Sequence, residues 1–173
     1  MRAFDAMTAS RFGAATLEAA QLEVGRGESE GNNRGHNIRR YMEPFADGSE
    51  WCAGLVSYCL DIASMKLGVG CPVDVRNKSV KRGAKALTRA LGRVGTLFTD
   101  PAKAMPGDLV CWNRGLPGSW QGHVGIVVQL EGRSILTTIE GNTGSYPSLV
   151  RRLRHDITKE RLYRFATVRK FTP

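Results

Sequence analysis

The sequence of 173 residues changes character near its middle, and this change limits the folds that the chain can adopt. The first half carries apolar residues at helical spacing, whereas the second half carries β-branched runs that are typical of strands. Helices followed by strands indicate an α+β fold with N-terminal helices packed on a C-terminal antiparallel β-sheet. No repeat or Pro-rich linker divides the chain, so we predict a single domain over residues 1–173.

Four segments of the first half have helical periodicity and recognisable ends. They are residues 11–24, 37–43, 51–67 and 79–91. Ser10 and Ser79 are predicted N-caps, because a hydroxyl accepts a hydrogen bond from a free N–H group of the first turn. Pro44 and Gly68 are predicted stops.

The second half contains five predicted strands. They are residues 108–112, 123–130 and 134–140, with weaker candidates at 149–153 and 163–171. The second and third of them are predicted to form a hairpin. A two-residue turn at 132–133 would place Asn142 opposite His123, whereas a turn at 131–132 would place Glu140 there. Residues two apart share one face of a strand, so either turn puts Glu140 and Asn142 on the face of His123. A three-residue loop would instead place Gly141 opposite His123 and weaken this argument.

The chain is strongly basic, with 25 Lys and Arg residues against 16 Asp and Glu residues and a net charge of +9. The excess is largest near the C-terminus. The basic residues there are Arg151, Arg152, Arg154, Lys159, Arg161, Arg164, Arg169 and Lys170. Such a surface favours anionic partners. The run lacks the interleaved aromatic residues of single-strand nucleic-acid platforms, so we expect no nucleic acid among the partners.

The sequence also limits where the protein is made. No apolar stretch approaches the roughly 20 residues of a membrane span. The N-terminus lacks a basic segment followed by an apolar run, the pattern of a secretory signal. We therefore expect a soluble monomer that is made in the cytoplasm and acts elsewhere only after release.

Four cysteines are present, and Cys52 is the one whose position favours reactivity. It opens the predicted helix 51–67, where the helix dipole and free N–H groups stabilise a thiolate. Cys59, two turns further along, is expected to be inert packing. The four have neither C-x-x-C nor zinc-ligand spacing, so we expect no metal or other cofactor.

His123 is the best candidate for a base among the three histidines. It begins an apolar strand and is flanked by Gly122 and Gly125. Together with Cys52, Glu140 and Asn142 it gives the nucleophile, base and orienting group of a cysteine hydrolase. In that mechanism, the thiolate attacks an amide carbonyl and His123 protonates the leaving amine.

Four motifs resemble those of the CHAP domain, the cysteine, histidine-dependent amidohydrolases/peptidases. They are EWCAGLVSYC at 50–59, PGDLV at 106–110, GHVGIV at 122–127 and IEGNT at 139–143. They occur in the family's order, and the resemblance covers residues from about 15 to 155. It implies a papain-like fold and cleavage of bacterial peptidoglycan.

The resemblance also implies roles for individual residues. Cys52 would be the nucleophile, His123 the base, Glu140 the orienting acid and Asn142 a fourth polar member. Some members bind calcium through an acidic loop near the cysteine, but the loop here holds only two acidic residues, so we predict no calcium. Many members carry a wall-binding domain, which we do not expect in this chain.

These observations predict a phage endolysin or virion-associated lysin, acting as an amidase or an endopeptidase. The basic C-terminal face would bind anionic envelope polymers, and Trp51 and Trp120 are candidates to line the substrate groove. Core packing is an equal alternative for Trp51. Two other functions remain open: an interbacterial toxin with the same chemistry, and a basic envelope-binding module without activity.

Overall fold

The computed structural model describes residues 10–168, so the predicted strand end at 171 and the basic residues Arg169 and Lys170 lie outside the described part. The helices are α1 (Arg11–Glu23), α2 (His36–Met42), α3 (Cys52–Leu67), α4 (Lys78–Arg82) and α5 (Ala84–Val94). The strands are β1 (Leu97–Phe98), β2 (Leu109–Asn113), β3 (Gly122–Glu131), β4 (Ile135–Glu140), β5 (Arg151–Asp156) and β6 (Leu162–Ala166). The predicted α+β fold is confirmed.

The first three helices match the prediction because their end signals are local. The Ser10 hydroxyl accepts a hydrogen bond of 3.0 Å from the N–H of Gly13 and caps α1. Gly68 ends α3 in the left-handed conformation, at φ 66°, which glycine adopts without steric cost. Most of α3 is buried, so it forms the centre of the helical layer.

The predicted fourth helix is wrong in two respects. Its first segment, α4, is capped by Asn77, whose side-chain oxygen accepts hydrogen bonds from the N–H groups of Ser79 and Val80. Ser79 is therefore a first-turn residue and not the cap. The segment then breaks at Gly83, which has an extended conformation, and α5 begins at the next residue.

The six strands form one sheet in the order β1-β6-β2-β3-β4-β5, and all neighbours are antiparallel. The short strand β1 was not predicted. Strand β5 begins at Arg151, two residues later than predicted, and Leu149 instead makes an isolated bridge to Gly27.

The β3–β4 hairpin has a different turn from either predicted one. Glu131 pairs with Ile135, so the turn contains three residues, 132–134. The register then shifts between Val127 and Gln129, and Ile126 pairs with Ile139. This bulge adds one residue to β3 and so cancels the one-residue register shift that the three-residue turn introduces. The register beyond it equals that of the predicted 132–133 turn.

The sheet is covered on both faces. The main core lies between the helices and one face, where Leu109, Cys111 and Val124 are buried. A smaller core that includes Trp112 and Val127 covers the other face. None of the helices between residues 10 and 168 has the length and apolarity required to span a lipid bilayer.

Candidate active site

Cys52 is the first residue of α3 and lies at the bottom of a surface cleft. Its exposed fraction is 6%. The helix has no side-chain cap, so the N–H groups of its first turn remain available to the sulfur and to a ligand. Burial raises the pKa of the Cys52 thiol, but the hydrogen bond and charge of His123 and the N–H groups of Val124 and Ala53 outweigh it. The net pKa lies below the ordinary value.

His123, near the start of β3, is the side chain that acts most strongly on the Cys52 thiol. Its Nε2 lies 2.8 Å from Oε2 of Glu140, which leaves Nδ1 to face the sulfur. Burial alone would lower the pKa of His123, but the hydrogen bonds and negative charges of Cys52 and Glu140 raise it to about 10. The arrangement therefore favours a thiolate–imidazolium pair.

Glu140, the last residue of β4, is almost fully buried, with an exposed fraction of 1%. Its Oε1 accepts hydrogen bonds from the Thr138 hydroxyl at 2.6 Å and from Trp112 Nε1 at 3.4 Å. Burial would raise the pKa of Glu140, yet the hydrogen bonds from His123 and His155 hold it well below its usual range. The carboxylate is thus charged and fixed in one orientation.

Gly125 makes the approach of Glu140 to His123 possible. A Cβ atom at this position would lie 2.5 Å from Cγ of Glu140, closer than real side chains approach one another. The absence of a side chain at Gly125 therefore leaves the space that the Glu140 carboxylate occupies beside the strand.

The structure adds a residue that the sequence reasoning missed. Nε2 of His155, on β5, lies 2.7 Å from Oε1 of Glu140, and Nδ1 lies 3.1 Å from Oε1 of Glu160. His155 belongs to the basic run, and the sequence offers no sign that β5 brings it to Glu140. The pairing of β4 with β5 supplies that information.

The cleft above Cys52 has a volume of about 230 Å³. Asn142 lines it at φ 61°, although none of the described hydrogen bonds joins its side chain to His123. The other polar and aromatic residues of the lining are Glu50, Arg82, Arg114, Trp120 and Gln121. Both charge signs and an exposed indole therefore border the sulfur.

The two tryptophans differ in position. Trp120 lines the cleft and is 74% exposed. Trp51 is completely buried; its Nε1 donates to Glu28 and its ring stacks on Tyr41. The prediction that Trp51 lines the groove is wrong, because the start of α3 turns this side chain into the core.

The other cysteines lack the surroundings of Cys52. Burial raises the pKa values of Cys59, Cys71 and Cys111, the last to about 11. A larger cavity of about 520 Å³ lies between α2, α3 and α4, but its lining contains neither cysteine nor histidine. Among residues 10–168, the side chains form no cluster of three or more potential metal ligands.

A helix that begins with cysteine, packed on an antiparallel sheet that carries a buried histidine–carboxylate pair, defines a papain-like thiol-hydrolase scaffold. A family model for the CHAP domain matches residues 44–142, more than half of the chain. The chain therefore belongs to the CHAP family, whose members are generally cysteine- and histidine-dependent amidohydrolases.

Two solved structures resemble the chain at low sequence identity. NlpC2 from Trichomonas vaginalis aligns with 96% of this chain and 49% of its own, at 13% identity and a TM-score of 0.49. The crystal structure of Ly7917 aligns with 90% of this chain and 62% of its own, at 20% identity and a TM-score of 0.53. The chain spans less than two thirds of either protein, and the likeness to Ly7917 shows the fold alone. Comparison with curated proteins finds no match.

Proposed function

We propose that the protein is a peptidoglycan hydrolase that cleaves an amide bond of the bacterial cell wall. The observation that carries the proposal is that Cys52 and His123 line one open cleft and that His123 is hydrogen-bonded at 2.8 Å to the buried Glu140. The CHAP match supports amidase or peptidase chemistry on peptidoglycan.

Each group has a defined part in the reaction. The Cys52 thiolate attacks the carbonyl carbon of the scissile amide, and the N–H groups at the start of α3 stabilise the oxyanion that forms. His123 then gives its proton to the leaving amine. Water, deprotonated by the now neutral His123, hydrolyses the thioester and regenerates the thiol. Glu140 holds the imidazole and stabilises its charged form.

The cleft lining fits a substrate with carboxylate groups beside the scissile bond. Arg82 contacts the carbonyl of Ala46 and the ring of Phe45, and among the described residues it pairs with no carboxylate. Arg114 is exposed at the same cleft. Guanidinium groups bind carboxylates by paired hydrogen bonds, and the stem peptides of peptidoglycan carry such carboxylates.

The test is digestion of purified peptidoglycan with the wild-type protein and with Cys52→Ala, followed by mass spectrometry of the released fragments. We expect new amide-derived ends with the wild type only. Their position distinguishes amidase cleavage between sugar and peptide from endopeptidase cleavage within the peptide. Release of the same fragments by Cys52→Ala, or of none by the folded wild type, would contradict the proposal.

We further propose that the protein acts as a phage-type lysin that is made in a host cytoplasm and reaches the wall after release. The exposed basic residues of β5, such as Arg151 and Arg152, support attraction to anionic envelope polymers. Binding to isolated walls should weaken as salt rises to about 0.5 M, because screening shortens the range of surface charge. Unchanged binding would exclude this role for the basic surface.

An interbacterial toxin with the same chemistry and a non-catalytic envelope-binding module are the competing functions. A holin gene beside the coding sequence favours the lysin, whereas a gene for an immunity protein favours the toxin. Wall binding that persists without any cleavage favours the binding module.

A further inference from the structure

Glu140 lies between two histidines and not beside one. Its Oε2 contacts His123 Nε2 at 2.8 Å, and its Oε1 contacts His155 Nε2 at 2.7 Å. The His155 side chain is only 10% exposed and packs against the Trp112 ring at 4.9 Å between centroids. On its far side, the Nδ1 atom meets Glu160 at 3.1 Å.

Both ring nitrogens of His155 therefore face carboxylate oxygens. An ionised carboxylate only accepts hydrogen bonds, and a neutral imidazole donates from one nitrogen only. The two contacts are both hydrogen bonds only when His155 is an imidazolium. Burial would lower the pKa of His155, but the hydrogen bonds and charges of Glu140 and Glu160 raise it above the ordinary value.

Within residues 10–168, the other contacts of His155 and Glu140 add no further buried charge. Leu136 lies opposite His155 on β4, and Trp112 covers the ring from β2. Arg151, which pairs with Glu140 in the β4–β5 ladder, is exposed to solvent. On the other side of Glu140, His123 faces Cys52 and the cleft, whose charged lining residues are Glu50, Arg82 and Arg114.

We propose that His155, held by Glu160, is a cationic positioning residue that tunes the proton affinity of His123 through Glu140. The inference rests on the proposed roles of Cys52 and His123 but not on the identity of the substrate. A second cation on Glu140 offsets part of the attraction between this carboxylate and the His123 imidazolium. His123 then releases its proton to a leaving amine more readily than it would beside Glu140 alone.

The first test measures the protonation of His155 directly in the wild-type protein. Nitrogen-15 NMR of the imidazole groups distinguishes a doubly protonated ring from either neutral tautomer. We expect His155 to carry protons on both nitrogens at pH 7. A neutral ring with one unprotonated nitrogen at that pH would overturn the proposal.

The second test uses two variants, His155→Gln, which keeps a donor but loses the charge, and His155→Arg, which keeps a permanent cation. His36→Gln, at an exposed histidine on α2, is the matched control. The readout is the rate of Cys52 alkylation by iodoacetamide as a function of pH. Its first step reports formation of the thiolate, and its second reports loss of the His123 proton.

In His155→Gln, the second step should move to higher pH by about one unit, because a nearby positive charge has been removed. The first step should move in the same direction by less, since Cys52 is farther away. His155→Arg and His36→Gln should follow the wild-type curve. A His155→Gln curve that coincides with the wild type, whatever its absolute rate, would show that His155 is only structural.

The role proposed for His155 can be tested independently of the proposed function. Alkylation and NMR need no peptidoglycan, so a failure of wall cleavage leaves both results interpretable. If His155→Gln does not fold, the His155→Arg curve and the wild-type NMR measurement still decide: a neutral ring or a shifted Arg curve contradicts the proposal.

Discussion

Replacement of Glu140 by glutamine tests how the catalytic imidazole is held. Oε1 of Glu140 accepts hydrogen bonds from Thr138, Trp112 and His155, so the oxygen of the new amide is expected to take that place. The amide NH₂ then faces Nε2 of His123. A donor facing a donor makes His123 move its proton to Nδ1, toward the sulfur of Cys52. A neutral imidazole with that tautomer cannot accept the thiol proton.

The size of the loss follows from the contacts that change. A hydrogen bond to a charged group contributes about 1.5–3 kcal/mol, which corresponds to roughly 10- to 160-fold in rate. We expect Glu140→Gln to lower kcat/KM by about 100-fold while the protein stays folded. The assay is the initial rate of peptidoglycan digestion, with thermal unfolding measured alongside.

Asn142→Ala is the comparison, because Asn142 lines the cleft without a described hydrogen bond to His123. Asn142→Ala should lower kcat/KM less than either Glu140→Gln or Glu140→Ala does. A Glu140→Gln rate within threefold of the wild type would refute the tautomer argument. Greater damage from Asn142→Ala would exchange the proposed roles of the two residues.

Three further substitutions test the site and the fold. Gly125→Ala should lower kcat/KM by about 100-fold, because the new Cβ would lie 2.5 Å from Cγ of Glu140 and displace the carboxylate. A digestion rate equal to that of the wild type would show that the carboxylate has room to move. Trp120→Ala should raise KM about three- to tenfold in steady-state kinetics. The melting temperature should not change, since the side chain is 74% exposed. An unchanged KM would show that Trp120 does not contact the substrate. Ser10→Ala should lower the free energy of unfolding by about 1 kcal/mol, because the hydrogen bond from the Gly13 N–H is lost. The melting temperature should fall by about 2–4 °C, and an unchanged melting temperature would contradict the role of Ser10 as a cap.

The parts of the fold that sequence predicts well depend on local chemistry. Ser10 caps α1 and Gly68 ends α3 because a hydroxyl and a left-handed glycine act within one helical turn. The break at Gly83 was missed because the helical periodicity continues across it. The bulge between Val127 and Gln129 was missed because no residue type marks it.

In the candidate site, too, the features that depend on local sequence were predictable and those that depend on strand pairing were not. The proximity of Cys52, His123 and Glu140 was predictable because a helix start, a strand start and a hairpin bring specific residue types to predictable places. The part played by His155 depends on the pairing of β4 with β5 across the loop 141–150, whose path the sequence does not specify. The sequence left Trp51 open between the groove and the core, because periodicity does not show which way a residue at a helix terminus faces; the structure buries it.

The most direct test of the central claim is site-resolved alkylation of the thiols at pH 6, in the wild type and in His123→Ala. A thiol of ordinary pKa is only about 0.3% ionised at that pH. Peptide mapping should show Cys52 modified first in the wild type, well ahead of the partly exposed Cys71, and this advantage should disappear in His123→Ala. Cys52 reacting no faster than Cys71, or at a rate unaffected by His123→Ala, would contradict a thiolate held by the imidazolium.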